Sequence, residues 1–396
     1  MKKNALPLVS HTSCLITRDS SSMASLPRVV LSGGVSGGHT FPLIVVARAL
    51  RTQFPAGIEF LFIGSKGHFE SESMASENIP ATYVLTGKMR RYFSMLNYID
   101  MFKLPLGFLQ SLWKLFVYMP DAVFAKGGSA SVPVVLAAWV YRIPIVIHDS
   151  DAVAGRANRF LARFATRIAI AYPSARAYFP EEKTALTGNP VREEILAGSA
   201  ERAGVTLGFS LEKPVLMILG GSQGATVLNE AILHILPELL KAGIQVVHQS
   251  GRENYEAILD IVKEHGLDQA KSGYVVRDFL SASDLADVLA LSSVVLSRAG
   301  ASSISELAAT KKAVILVPLA SAANDEQRMN AYDIAKIGGA FVIEEQNLGE
   351  HILLQKIIEL MKDAPLRTTM GERMHQFYHS DASFAIATGI RTLIGR

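Results

Sequence analysis

Short apolar runs recur along the chain, and most are followed by a stretch whose apolar residues return every three or four positions. This switch of period predicts strand then helix, repeated many times. In the first half the strands are Val29 to Leu31, Glu59 to Ile63, Thr82 to Leu85, Ala122 to Ala125, Ile145 to His148 and Arg167 to Ala171. In the second half Val215 to Leu219, Gln245 to Gln249, Gly273 to Val276, Val294 to Ser297, Ala313 to Val317 and Ala340 to Ile343 repeat the rhythm. Strands that alternate with helices predict parallel, doubly wound sheets, so the fold class is α/β.

Two of the strand-to-helix turns are rich in glycine. Ser32-Gly33-Gly34-Val35-Ser36-Gly37-Gly38-His39 joins the first strand to the helical pattern Pro42 to Leu50, and Gly220-Gly221-Ser222-Gln223-Gly224-Ala225 precedes the helical run Val227 to Leu239. Glycine lets the backbone turn sharply and lets N–H groups approach a ligand, while the following helix presents its positive end; this suits phosphate. Each turn opens its own half of the chain, which predicts two similar domains facing each other across a cleft. Thr187-Gly188-Asn189-Pro190-Val191-Arg192 is a turn-rich junction between them, where a hinge is expected. Ligands of doubly wound sheets sit beyond the carboxyl ends of the strands, where both glycine turns, His148-Asp149 and Ser297-Arg298 fall.

Composition narrows the classes. At 396 residues, 49% hydrophobic and 19% charged, the chain is globular and long enough for two cores. One cysteine, Cys14, excludes a disulfide scaffold or a cysteine-based metal site. A net charge of +3 is too small to indicate nucleic acid but tolerates an anionic partner. Residues 1–26, with Lys2-Lys3 and a short apolar patch broken by Pro7, read as a disordered extension rather than a secretory signal. No apolar run is long enough to span a membrane.

Taken in order, the motifs carry a resemblance. They are Gly33-Gly34-x-x-Gly37-Gly38-His39-x-x-Pro42, His148-Asp149-x-Asp151 with Gly155, Gly188-Asn189-Pro190-Val191-Arg192, Gly220 to Ala225, Ser297-Arg298-Ala299-Gly300-Ala301 with Ser305-Glu306-Leu307, and Pro318 followed by Asp325-x-Gln327-x-x-Asn330-Ala331. Over about residues 27–380 the chain resembles the MurG family, peptidoglycan glycosyltransferases that add N-acetylglucosamine to lipid I and make lipid II. The resemblance implies the GT-B architecture, two Rossmann-like domains facing across a cleft. The N-terminal domain, 27–187, takes the acceptor and the membrane and is joined by the C-terminal helix at about 373–396; the C-terminal domain, 188–372, binds the UDP-sugar. It also implies catalysis without metal or other cofactor, UDP-N-acetylglucosamine being a substrate. Asp149-Ser150-Asp151 matches a metal-holding Asp-x-Asp literally, but it lies in the block that reads His-Glu-Gln-Asn in relatives, which argues against a metal there.

Residue by residue, the resemblance assigns the donor to Arg192, Ser222, Gln223, Leu280, Ser302, Ser303, Glu306, Gln327 and Asn330. Glu306 takes the ribose hydroxyls, Ser302 and Ser303 the diphosphate, the Leu280 backbone the uracil, and Gln327 and Asn330 the sugar ring. The alternatives are a capping or solvated Glu306 and an amide pair that caps nearby backbone. Ser321 stands where many relatives carry histidine, and Glu326 precedes Gln327. Gly33, Gly34, Ser36, Gly37, Gly38, His148 and Asp151 fall to the acceptor and its diphosphate, Asp151 standing where asparagine is usual. His39, titrating near neutrality, is the candidate base for the attacking hydroxyl, against the alternatives of a phosphate contact or a structural turn histidine.

Residues 88–116 interleave Lys88, Arg90, Arg91, Lys103 and Lys114 with aromatic and aliphatic residues, and Pro105 and Gly107 are expected to interrupt the helix. Such a surface suits an anionic leaflet, which predicts a peripheral enzyme on the cytoplasmic face of the membrane. A diacylglycerol glycosyltransferase of the same fold, a non-hydrolysing sugar-nucleotide epimerase and a catalytically idle nucleotide-sugar-binding scaffold are the competing functions.

Overall fold

A computed structural model describes residues 26–34, 37–87, 95–220, 225–264 and 272–395. The expected extension 1–26, except for Leu26, lies outside them, as do Ser36, Ser222, Gln223, Lys88, Arg90 and Arg91.

Two parallel sheets form. The first comprises β1 (Arg28–Ser32), β2 (Glu59–Gly64), β3 (Ala81–Tyr83), β4 (Ala122–Ala125), β5 (Ile145–Asp149), β6 (Arg167–Ile170) and β7 (Thr184–Leu186), in the order β3-β2-β1-β4-β5-β6-β7. The second comprises β8 (Val215–Leu219), β9 (Gln245–Gln249), β10 (Tyr274–Arg277), β11 (Val294–Ser297), β12 (Ala313–Leu316) and β13 (Phe341–Val342), in the order β10-β9-β8-β11-β12-β13. The central strands are largely apolar because helices cover both faces. Alternate residues divide accordingly: Val30, Val123 and Ile147 join one core, and Val29, Leu31, Phe124 and Val146 the other.

Strand order reverses between β1 and β4 in one sheet and between β8 and β11 in the other, and these switch points are where doubly wound folds open a crevice. The glycine turns follow β1 and β8, so both crevices adjoin a glycine turn. β7 is a strand that the sequence pattern does not predict; its Thr184-Ala185-Leu186 is too short to display a period.

The chain crosses between the sheets at 187–192 and returns near 376–381. The crossings touch: Gly188 has φ +79°, and a Cβ there would lie 2.5 Å from His379 Cβ, so glycine is needed on both counts. The last helix, Ala382–Ile394, packs Ile386, Ala387, Ile390 and Leu393 into the first sheet's core, and Gln53 Nε2 donates to Thr388 Oγ1 at 3.0 Å.

One expectation fails here. The helix Met95–Tyr118 runs unbroken through Pro105 and Gly107. Proline costs a single backbone bond in that helix, and Gly107 serves packing instead: a Cβ would stand 1.9 Å from Leu85 O, the carbonyl of the neighbouring chain segment. No helix among the described residues is long and apolar enough to cross a membrane.

Candidate functional site

The first crevice is built by glycines. Gly33 lies against Leu43, where a Cβ would be 3.0 Å from Cδ1. A Cβ on Gly34 would meet the His39 ring at 3.1 Å, and Gly128, at φ +80°, would press a Cβ to 3.2 Å from Gly34 Cα. The His39 ring is therefore held close to glycine backbone from both loops. Burial, then the charge of Lys126, lowers its pKa to about 4, although a hydrogen bond to the Lys126 backbone acts the other way. His39 is neutral in this state, and its buried Nδ1 has no hydrogen-bond partner.

Lys126, just past β4, is not singled out by any motif in the sequence. It is 3% exposed. Its ammonium donates to Ser150 Oγ, and burial lowers its pKa to about 8 despite Asp149 and Asp151 nearby. Its sequence signal, a lysine at a strand's carboxyl end followed by Gly127-Gly128, does not set it apart from a solvated charge. Asp149 is saturated by backbone and amide donors: Gly155 N–H at 3.1 Å and Asn158 Nδ2 at 2.9 Å on one oxygen, Asp151 N–H at 3.3 Å on the other. Burial, then Asp151, raises its pKa to about 6. Burial also raises Asp151, against a bond from Asn330 and the charge of Lys126. Both carboxylates thus accept hydrogen bonds from neighbouring backbone or amide groups.

These groups adjoin a cavity of about 1140 Å³. It is lined by His39, Lys126, Asp149, Ser150 and Asp151, by the apolar Leu104, Pro105, Phe108, Val132, Leu136 and Phe160, and also by Arg156, Asn158, Asn324 and Glu326. His148 is fully buried and makes its Nε2 contact with Gly188 O at 3.0 Å, so its side chain serves the interdomain crossing rather than the cavity.

In the second half, Arg192 and Glu306 meet. Arg192 Nε and Nη2 both donate to Glu306 Oε1, at 3.0 and 2.7 Å, and the guanidinium lies 4.3 Å from the Phe41 ring centre. Burial raises the Glu306 pKa and Arg192 opposes it. In the helix Ala301–Ala309 the backbone ladder begins with Ile304 N–H to Gly300 O, so the N–H groups of Ala301, Ser302 and Ser303 point past the helix end. Leu280 is core, packed in the second sheet's cluster. Gln327 Oε1 accepts from Leu319 N–H at 3.0 Å. Asn330 is fully buried: its Oδ1 accepts from Ala152 N–H at 2.7 Å, and its Nδ2 donates to Asp151 Oδ1 at 2.9 Å and Ala299 O at 3.2 Å.

The two crevices are wired together. Lys126 donates to Ser150 Oγ, Ser150 to Asn189 Oδ1 at 3.0 Å, Asn189 Nδ2 to Ser305 Oγ at 3.3 Å, and Ser305 to Ala301 O at 2.9 Å.

Comparison with known proteins agrees with this layout. The glycosyltransferase family 28 N-terminal domain matches residues 29–170, and the family 28 C-terminal domain matches residues 215–384. The chain is 37% identical over 337 residues to the UDP-N-acetylglucosamine--N-acetylmuramyl-(pentapeptide) pyrophosphoryl-undecaprenol N-acetylglucosamine transferase of Clostridium perfringens, covering 85% of this chain and 90% of that protein. It is 35% identical over 345 residues to a like-named transferase 2 of Bacillus cereus, covering 87% and 94%. The crystal structure of Acinetobacter baumannii MurG has the same fold, with a TM-score of 0.71 at 25% identity over 92% of this chain and 99% of that one.

Proposed function

The chain belongs to glycosyltransferase family 28, and from that membership we propose how its two crevices divide one reaction. It is an N-acetylglucosaminyltransferase that moves the sugar of UDP-N-acetylglucosamine to lipid I, the undecaprenyl-diphosphate-linked muramyl pentapeptide, and forms lipid II.

The observation that carries our assignment of the acceptor is a cavity lined both by polar and charged groups and by apolar side chains. A polyprenyl-linked diphospho-sugar combines the same two chemistries. Its sugar and diphosphate belong over the Gly33 to His39 turn and Lys126, and its first isoprene units along Leu104, Phe108 and Leu136. The donor belongs at the second crevice, with ribose on Glu306, diphosphate at the first turn of the helix Ala301–Ala309 and Arg192, and sugar toward Gln327 and Asn330. The muramyl 4-hydroxyl then attacks the anomeric carbon from the face opposite the departing diphosphate, and a β-1,4 bond replaces the bond to phosphate. The electron pair leaves with UDP, and the hydroxyl proton passes to His39. The unliganded pKa of about 4 makes His39 a weak base, but an acceptor diphosphate beside it favours protonation. Helix N–H groups and Arg192 meet the leaving charge, so this reading needs no metal, and activity should survive a chelator.

Membrane docking follows from the helix that walls the cavity. Its outer face exposes Leu106, Leu109, Trp113 and Phe116, three or four residues apart, with Trp113 68% exposed. Lys114 turns its ammonium to Thr82 Oγ1, so the described part of this surface offers an apolar anchor more than a cationic one. Peripheral attachment at the cytoplasmic leaflet would hold the cavity at the depth of its lipid-linked substrate.

Turnover of a soluble lipid I analogue, with release of UDP and a disaccharide product, tests the assignment. Lys126→Met should raise the acceptor KM about tenfold or more, the scale of one charged hydrogen bond, with the donor KM little changed. Unchanged acceptor KM would remove Lys126 and the polar groups beside it from acceptor binding.

A further inference from the structure

Side chains from three directions hold the loop that follows β12, and one of them belongs to neither crevice. Val317 O accepts from Arg298 Nη1 at 3.2 Å, Leu319 N–H donates to Gln327 Oε1 at 3.0 Å, and Ala320 N–H donates to Glu345 Oε2 at 3.0 Å. The other oxygen of Glu345 accepts from Arg298 Nη2 at 2.6 Å. Both side chains are largely buried, at 11% and 15% exposure. Burial alone would raise the Glu345 carboxyl, but the bonds from Ala320 and Arg298 outweigh it and keep the carboxyl below its ordinary value.

A buried ion pair seldom adds net stability, so a pair spent on loop backbone points to geometry. The loop leaves the carboxyl end of β12, beside the β8/β11 switch point. Residue Glu345 comes from the short helical turn after β13 and reaches back across β12's end to take a loop amide. Gln327 shows what the fixed loop decides. With Oε1 accepting from Leu319 N–H, the orientation of the Gln327 amide, and so the direction of its N–H groups, follows the position of Leu319.

We propose that Glu345 is a positioning residue: with Arg298 it fixes loop 317–322 and so aims the Gln327 amide at the sugar of the donor. The proposal rests on the reading that Gln327 faces that sugar. On that reading the nucleotide moiety is held by Glu306 and the helix Ala301–Ala309 rather than by Gln327 or the loop, so a displaced loop should affect chiefly the sugar.

Calorimetric titration of the full-length protein with UDP-N-acetylglucosamine and, separately, with UDP tests this. Glu345→Ala should weaken UDP-N-acetylglucosamine about tenfold, the value of a lost hydrogen bond or two, while UDP binding stays within about twofold. Glu345→Gln fills the same space but keeps only one of the two bonds; it should give a smaller loss of the same selective kind, and it decides the question if the alanine variant does not fold. Gln327→Ala is the companion. If it loses sugar-dependent affinity while both Glu345 variants bind as wild type, Glu345 does not position the loop for the sugar. Equal losses of UDP and UDP-N-acetylglucosamine would mean general damage to the second sheet and would also overturn the proposal. If Gln327→Ala shows no sugar-dependent loss, the reading of Gln327 fails and takes the proposal with it.

Discussion

Asp151 Oδ1 accepts a hydrogen bond from Asn330 Nδ2 at 2.9 Å, joining the loop after β5 in the first sheet to the helix Glu326–Lys336 beside the second. Asn330 completes the bridge by accepting from Ala152 N–H. The residue assigned to the donor sugar is therefore engaged, in this state, by the acceptor half. If the donor sugar takes the Asn330 amide, it competes with Asp151 and Ala152 for it. Asn330→Ala leaves a buried backbone N–H and a buried carboxylate without their partner, which should cost about 1–3 kcal/mol of stability per group. Thermal unfolding and calorimetry separate the roles: a lower Tm with unchanged UDP-N-acetylglucosamine affinity would make Asn330 a strut and no sugar contact.

Arg192 and Glu306, the pair proposed for diphosphate and ribose, hold each other through two bonds to one carboxylate oxygen. Glu306→Ala should weaken UDP-N-acetylglucosamine by about 1.5–3 kcal/mol, as for a hydrogen bond to a charged group. It should also lower Tm, because Arg192 loses the carboxylate that offsets its burial. A correctly folded variant with wild-type donor affinity would refute the ribose assignment.

His39 makes a pH-dependent prediction. Its folded pKa of about 4 lies below the ordinary value of 6.5, so as pH falls the unfolded chain takes the proton first. The stability it contributes is present in full above pH 6.5 and is lost toward pH 4, up to about 3 kcal/mol at 1.36 kcal/mol per unit. The drop in Tm from pH 7.5 to pH 5 should thus be smaller in His39→Gln than in the wild type. Turnover should fall roughly 100-fold or more in His39→Ala with donor affinity little changed, as expected for a proton acceptor. Near-normal turnover at saturating substrates would assign His39 to structure.

Membrane docking by the helix Met95–Tyr118 predicts that Leu109, Trp113 and Phe116 replaced together by Ser reduce sedimentation with anionic vesicles. Changing Arg90, Arg91 and Lys103 to Glu should do so in a salt-dependent way, each cation contributing on the order of 1 kcal/mol. Turnover of a soluble acceptor should persist in both variants. Equal loss of soluble-acceptor activity would make this face part of the active site's own structure.

The sequence by itself determined the two parallel sheets, because a strand buried on both faces, such as Val215 to Leu219, must be apolar along its length, and each glycine turn marks where strand passes to helix. It also located the residues at the strand ends, since position along the chain sets position beyond the sheet. Only the tertiary structure decided what those side chains face. His148 and Asn330 are polar residues in functional motifs, yet both are buried and spent on partners 40 and 178 residues away in the chain, Gly188 and Ala152. Lys126, after a strand, and Glu345, in a turn, carry no pattern in the sequence that sets them apart from solvated charges. Each became a buried charge because a distant segment closed over it: the β5 loop with Ser150 over Lys126, and Arg298 with the β12 loop over Glu345. The one-dimensional pattern records which residues avoid water. Which polar groups satisfy one another after water is excluded depends on contacts between segments far apart in sequence, and no local period encodes them.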